Sequence, residues 1–446
     1  MQKHIKKQRF NILVATLAFL IGAGTMFGPS SRAQEQRVPP ADPAFTVPVA
    51  VGPASPLYME WPKLAASPDG TLHAIVSWGY RDHILYFRST DQGRTWSGGE
   101  DVAGNPLWGG AAGNFHLVAS NDGCVHLYGF ELYGPVYPSN KYRKACDGQW
   151  TPPIEVPGSG FERTKITALT VDGRGIAHIL SGKSGTNLRL YTTDGVDFSA
   201  ESPLPLIANS YPNRSWLPNL TFSSDGKLLV TWGDYRPGRY VLGTGYPTGA
   251  TGSSGGSWST YFFTETLAGG EYQNGYQQYR VALQALPDGD VQAAFEGRLA
   301  DSEAKDIYLR RWNPARYGAV AGGWATQTVQ LRSWPNETVA PELCADARGQ
   351  VYAVWMDQYD NMMILYSYSS DGLTWQEPRR VNAGAWQREK HPTCAVTNPT
   401  ASSAGKLHVM WTDRANGGDA RLYYASRPLP DLYPITPTVT IKQVGR

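Results

Sequence analysis

LAASPDGTLHAIVSW (64–78), HILYFRSTDQGRTWS (83–97) and EDVAG (100–104) follow one another closely and together read as one four-stranded antiparallel sheet. Two apolar stretches flank Asp69-Gly70, a turn whose glycine takes positive φ at no steric cost, so they form a hairpin. A third strand leads into a capped turn, and EDVAG supplies a short fourth. The first hairpin recurs at intervals of about 50 residues, a period typical of propellers and solenoids. Its copies are ASNDGCVHLYGF (119–130), TVDGRGIAHIL (170–180), SSDGKLLVTWGD (223–234), LPDGDVQAAFEG (286–297), DARGQVYAVWMD (346–357) and SAGKLHVMWTD (403–413).

Outer strands are expected at EDVAG (100–104), IEVPG (154–158), PLIAN (205–209), ETLAG (265–269), TVQLR (328–332) and RRVNAG (379–384). VPVAVG (47–52) resembles them but precedes the first hairpin, while the seventh unit (392–427) runs into PLPDLYPITP without one. A spare strand at the front and a missing one at the back predict that the N-terminus closes the ring and removes its exposed edge. The expected fold is an all-β propeller of seven four-stranded blades. Two alternatives stay open: VTIKQV (439–444) completes the last blade, or one divergent unit is an insertion and six blades remain.

Composition agrees with short strands and tight turns. The 446 residues include 48 Gly, 32 Pro, 15 Trp and 25 Tyr, and charged residues are 17%, below the roughly 25% of an average domain. With 40 Lys+Arg against 38 Asp+Glu there is no global field for nucleic acid or anionic membrane. Most aromatics fill sheet cores, and some suit the apolar C–H face of a sugar.

The N-terminus carries Lys3, His4, Lys6, Lys7 and Arg9, then an apolar run to Phe27 and Ser31-Arg32-Ala33. This is the pattern of a signal peptide over 1–33 cleaved before Gln34, which predicts export without stable membrane insertion. A Pro/Ala spacer (34–43), the propeller (44–430) and a tail (431–446) follow. Exported chains form disulfides. Cys124 follows one Asp-Gly turn and Cys146 precedes another in the same repeat, so the two should face each other across a strand pair. Cys344 and Cys394 stand at nearly equivalent positions of neighbouring repeats, which makes them the second expected pair. No cysteine or histidine spacing suggests a metal, and no cofactor is expected.

STDQGRTW (89–96) is an Asp box: Asp91 accepts turn amides, Gly93 takes a conformation other residues avoid, Thr95 caps, and Trp96 plugs the gap between strands. SSDGLTW (369–375), TTDGVDF (192–198) and a decayed CDGQW (146–150) repeat it. These boxes and the blade pattern around them resemble the sialidase superfamily of Asp-box propellers, over essentially the whole mature chain. The resemblance implies a glycan-acting site with an arginine triad, a Tyr nucleophile paired with Glu, and an Asp acid/base. Members carry Phe/Tyr-Arg-Ile-Pro before the first hairpin. Here the stretch is Glu60-Trp61-Pro62-Lys63, with Glu60 at the arginine position, where it would repel a substrate carboxylate, and Lys63 lacks the planar fork of arginine. Ala285 and Leu286 stand where a conserved-type Glu would precede the fifth turn.

In a propeller the loops entering the inner strand and those leaving the second strand meet at one end of the channel. The first group places Glu60, Trp61, Arg163, Trp216, Tyr279, Arg280, Lys390 and His391 there. The second places Arg81, Asp82, Asp234, Arg236, Glu296, Arg298, Asp357, Asp413 and Arg414. Trp232/Asp234, Trp355/Asp357 and Trp411/Asp413 repeat one spacing, which reads as the blade's own hydrogen bonding. Glu60, Glu296 and Arg298 break the repeat and are better functional candidates. The expected catalytic carboxyls are Glu296 with Asp234 or Asp357. Arg298, Arg236, Arg414, Glu60, Trp61, Trp216, Tyr279 and Arg280 are the expected substrate contacts. The first functional expectation is a monomeric, exported sialidase-like glycoside hydrolase cleaving a terminal, neutral or acidic sugar. The alternatives are a noncatalytic glycan-binding propeller and a polysaccharide lyase.

Overall fold

The hairpin turns of the first six blades are held by their own backbone and by an aspartate. In the first, Ser67 N–H donates to Thr71 O (2.8 Å), and Asp69 accepts the Thr71 amide (2.9 Å) while Gly70 sits at φ 86°. In the computed structural model of the chain the described residues are 39–56, 58–79, 83–102, 115–130, 140–157, 166–182, 189–203, 216–236, 239–247, 258–262, 281–297, 306–318, 322–331, 338–357, 362–382, 390–400, 404–414 and 418–430.

Among these residues the strands form seven antiparallel sheets. Blades 1 to 7 have inner strands Tyr58–Ala66, His116–Ala119, Ile166–Val171, Trp216–Phe222, Val281–Ala285, Thr338–Ala345 and Lys390–Thr397. Apolar cores lie between successive blades. Trp232 packs with blade 3, Trp355 with blade 5 and Trp411 with blade 6, and all three are fully buried. The core joining blade 7 to blade 1 brings Met410, Leu422 and Tyr424 against Met59, Ala74 and Phe87, so the blades close into a ring. Among the described residues no helix is long and apolar enough to cross a membrane.

The N-terminal strand Val49–Ser55 supplies the outer strand of blade 7, pairing Val49 with Tyr424 and Val51 with Leu422. The ring therefore has seven blades closed from the front. VTIKQV lies outside the described residues. The segment ahead of the closing strand is also tied down. Arg380 N–H donates to Pro40 O (3.0 Å), Asp42 N–H to Arg380 O (3.0 Å), and Thr46 N–H to Ser426 O (2.8 Å). The buried Asp42 carboxylate accepts from Tyr366 and Arg427. One segment thus grips blades 6 and 7.

Outer strands appear as expected at Glu100–Asp101, Ile154–Glu155, Val329–Leu331 and Arg379–Arg380. In blades 3 and 4 they lie earlier than expected, at Phe198–Pro203 and Trp258–Phe262, while 205–209 and 265–269 lie outside the described residues. The third strand of blade 4 is Arg239–Pro247, so the first residues of the glycine-rich stretch 243–258 belong to the sheet.

The Asp boxes behave as their chemistry demands. Asp91 accepts Thr95 N–H (2.9 Å) and Thr95 Oγ1–H (2.6 Å), and Ser89 Oγ receives Gly93 N–H (2.8 Å). A Cβ on Gly93 would meet the Tyr424 hydroxyl at 2.0 Å. In the second box Asp371 accepts Leu373 N–H (2.8 Å) and Thr374 N–H (2.6 Å), and Trp375 is fully buried.

Both expected disulfides form. Cys124–Cys146 joins neighbouring strands of blade 2 (Cα–Cα 4.4 Å), and Cys344–Cys394 ties the inner strand of blade 6 to that of blade 7 (Cα–Cα 6.0 Å). The second closes a separation of 50 residues, for which chain entropy gives about 4 kcal/mol. Replacing Cys344 and Cys394 together with Ser is therefore expected to lower the urea midpoint markedly. An unchanged midpoint would mean that this staple adds nothing to the closed ring.

Candidate functional site

The loop-rich end of the channel is shaped by proline. Pro62, Pro218, Pro341 and Pro392 interrupt the inner strands of blades 1, 4, 6 and 7, and proline has no N–H for the ladder. The register slips at each: between Glu60 and Lys63, Trp216 and Asn219, Val339 and Glu342, and Lys390 and Thr393. In three of them the residue before proline takes positive φ: Trp61 (58°), Ala340 (56°) and His391 (54°). Such backbone costs about 1–3 kcal/mol per residue and recurs at functional rims. The signal was present in the sequence. Val339–Glu342 and Lys390–Thr393 repeat the spacing of Glu60–Lys63, but of the three only Val339–Glu342 was not placed at the channel mouth from the sequence.

The bulges aim side chains inward and sideways. The Trp61 ring stacks on the His391 imidazole of the neighbouring blade, with centroids 3.6 Å apart and planes at 28°. Glu60 is half-buried, and its carbonyl accepts from Ser77 Oγ (2.9 Å). Inside, a cavity of about 460 Å³ is lined by all seven inner strands. Lys63 Nζ and Glu342 Oε1 meet there at 2.6 Å, so Lys63 is paired with a carboxylate of blade 6. Both side chains keep about a quarter of their surface exposed, so solvent screens the pair and it adds little to stability.

Two of the expected catalytic carboxyls face one blade junction. Glu296 (4% exposed) is the next-to-last residue of the second strand of blade 5, Val291–Gly297, and accepts the Ala340 N–H of blade 6 at 2.7 Å, so it faces the junction between those blades. Asp357 is fully buried two residues after Trp355, on the same strand face, and Trp355 belongs to the core of that same junction. Glu296 and Asp357 therefore face each other's blade across the strained Ala340 bulge.

Asp234, Arg236 and Trp216 lie in blade 4, where Asp234 pairs with Val241, Arg236 with Arg239 and Trp216 with Gly233 in the ladder; their side chains are not described. Arg298, Tyr279, Arg280, Arg163, Arg81 and Asp82 lie outside the described residues. Arg414 does not pair with the neighbouring aspartate. Its guanidinium donates to the Gly418 carbonyl (3.1 Å) and the Pro56 carbonyl (3.5 Å).

Asp413 departs from the expectation for its repeat. It is 2% exposed, and neither carboxylate oxygen has a hydrogen-bond partner among the described residues. Burial pushes its pKa up to about 6. The Arg414 backbone amide opposes this.

No family model matches the sequence, and no curated protein does. Among solved structures, an ulvan lyase with a GlcA-containing saccharide bound is similar at a TM-score of 0.51 and 11% identity, over 85% of this chain and 94% of its own. The chain shares a seven-bladed propeller architecture with that structure. An α-L-arabinofuranosidase from Fusarium graminearum follows at 0.48 and 14%, over 86% and 98% of the two chains. The intramolecular trans-sialidase of Ruminococcus gnavus gives 0.45 and 12%, over 83% and 94%. At such identities the likeness is one of architecture. The chemistry depends on the residues at the channel mouth.

Proposed function

We propose that this chain is an exported, monomeric glycoside hydrolase that uses the loop-rich mouth of its propeller to cleave a terminal sugar from glycans. The observation that carries the reading is the convergence of Glu296 and Asp357 on one blade junction. Hydrolysis needs two carboxyls in different protonation states. Asp357 gives its proton to the leaving glycosidic oxygen as the C–O bond breaks. Glu296, already accepting the Ala340 amide, acts as the carboxylate that draws a proton from the attacking water. Asp234 is the alternative partner for Glu296. Trp61, on its stack with His391, offers an aromatic surface to the sugar. Glu60, Trp216, Arg236, Tyr279, Arg280, Arg298 and Arg414 complete the contacts.

Glu60 in the place of an arginine disfavours strict sialidase chemistry, because a carboxylate there repels a substrate carboxylate. Turnover of a panel of aryl glycosides, the sialic acid one included, tests the proposal with the chain from Gln34 onward. Release of the aryl group from one glycoside supports hydrolysis and names the sugar. Unsaturated products from acidic polysaccharides, with no aryl release, would replace hydrolysis with elimination.

A further inference from the structure

The channel cavity reaches up to the proline bulges. Pro218 and Pro341 line its volume of about 460 Å³, which is ordinary for a small-molecule site, and Pro341 follows the Ala340 whose amide Glu296 holds. The cavity therefore begins beside the junction that Glu296 and Asp357 face. Each of the seven inner strands is the edge of its sheet, so unpaired backbone N–H and C=O groups border the channel. Side chains of neighbouring blades take some of them: Thr393 Oγ1 accepts Leu64 N–H (3.3 Å), and Asn219 Nδ2 donates to Val281 O (2.8 Å). Lys63 and Glu342 meet in this polar wall at 2.6 Å. Of the lining side chains only these two and His116 can ionise, and the pair cancels. The pair also has capacity left. An ammonium has three donors and a carboxylate about four acceptor sites, and among the described residues each of these side chains bonds only the other. About a quarter of each side chain is exposed, so solvent reaches what remains. A charged donor and a charged acceptor held side by side match two neighbouring hydroxyls. One hydroxyl accepts from the ammonium and the next donates to the carboxylate.

We propose that this cavity takes the terminal unit of the glycan, and that Lys63 and Glu342 restrict it to a neutral sugar with vicinal hydroxyls. The inference rests on the mouth being a glycan site and adds the class of sugar. A carboxylated or sulfated unit would have to compete with Glu342 for Lys63 and would face the displaced carboxylate. A cationic unit meets the same obstacle with the signs reversed. A neutral diol leaves the pair intact and uses what each partner has left. Both residues hold the ligand and take no part in bond cleavage.

The test uses the chain from Gln34 onward and its Glu342→Gln and Lys63→Met variants. Thermal shifts are measured at pH 7 with methyl glycosides of galactose, mannose, rhamnose, arabinose and glucuronic acid. Without ligand, both variants are expected to melt close to the wild type, because a solvent-screened pair adds little to stability. At least one neutral glycoside is expected to raise the wild-type melting temperature, and both variants should need at least tenfold more of it for the same rise. An undiminished response in either variant, a response to the glucuronide alone, or no response of the wild type to any neutral glycoside overturns the proposal. Aryl glycoside turnover separates this from the parent reading. Turnover with an unaltered ligand response in Glu342→Gln removes the role of the pair and keeps the hydrolase. A ligand response lost in both variants, without turnover by the wild type, keeps the cavity site and removes the hydrolase.

Discussion

Glu296→Gln is expected to lower glycoside turnover by roughly 10²–10⁴-fold, the usual cost of losing a positioned acid or base, while the fold stays intact. The two effects separate because Glu296 does two things. Its Oε1 accepts the Ala340 amide, which sits in a left-handed conformation before Pro341 and has to be satisfied in a buried place. Glutamine keeps an oxygen there and nearly the same volume, so the bulge survives. What it loses is the charge and the capacity to take a proton. Glu296→Ala, by contrast, strands the amide and is expected to cost about 1–3 kcal/mol of stability as well. The discriminating result is kcat/KM of the glutamine variant alongside its thermal midpoint. A folded protein with undiminished turnover would remove Glu296 from the reaction.

The second large effect is on stability in mild acid. His73, His126 and His408 occupy the same position in blades 1, 2 and 7, each fixed between a hydroxyl on one ring nitrogen and a tyrosine on the other. The partners are Ser67 and Tyr86, Ser120 and Tyr142, and Thr397 and Tyr424, at 2.6–3.0 Å. Burial, helped by nearby cations, lowers their pKa values to about 4, about 4 and about 3. Unfolded, each titrates near 6.5. Between pH 6.5 and about 4 the unfolded chain therefore binds a proton at each site that the folded chain refuses. Their contribution is complete above 6.5 and is lost as pH falls through that window, at about 1.4 kcal/mol per pH unit for each histidine.

Asp413 works the other way. Its folded pKa of about 6 lies above the unfolded value, so its proton favours the folded state as pH falls below 6. One carboxyl against three imidazoles offsets about a third of the loss. A steep fall of the urea midpoint between pH 6.5 and 4.5 is the expected result, shallower in His126→Gln. A flat profile over that range would mean that these histidines accept protons in the folded state.

Most of the fold was legible because it is written in local turn chemistry. Asp-Gly hairpins and Asp boxes determine their own geometry within a few residues, and a strand-like VPVAVG ahead of the first hairpin has one vacancy to fill. The outer strands of blades 3 and 4 were misplaced for the opposite reason. A short edge strand is defined by its pairing with the third strand, and Phe198–Pro203 and Trp258–Phe262 carry no turn signal that distinguishes them from the segments that follow. Glu296 stood out in the sequence because it breaks the repeat. Asp413 did not stand out because it obeys one. A recurring Trp-x-Asp spacing shows that the backbone position is shared by three blades, but it does not reveal whether a donor reaches the side chain. The proline bulges were missed because their effect is on register, which appears only when two strands are laid side by side.

The most direct test of a hydrolytic propeller is to run the cleavage of whichever glycan it acts on in water enriched in heavy oxygen and to weigh the products. Hydrolysis at the Glu296–Asp357 junction predicts saturated products, one of them carrying a single solvent oxygen at its new reducing end, and no label incorporation with Glu296→Gln. Unsaturated, unlabelled products, or an intact glycan that binds without cleavage, would contradict it.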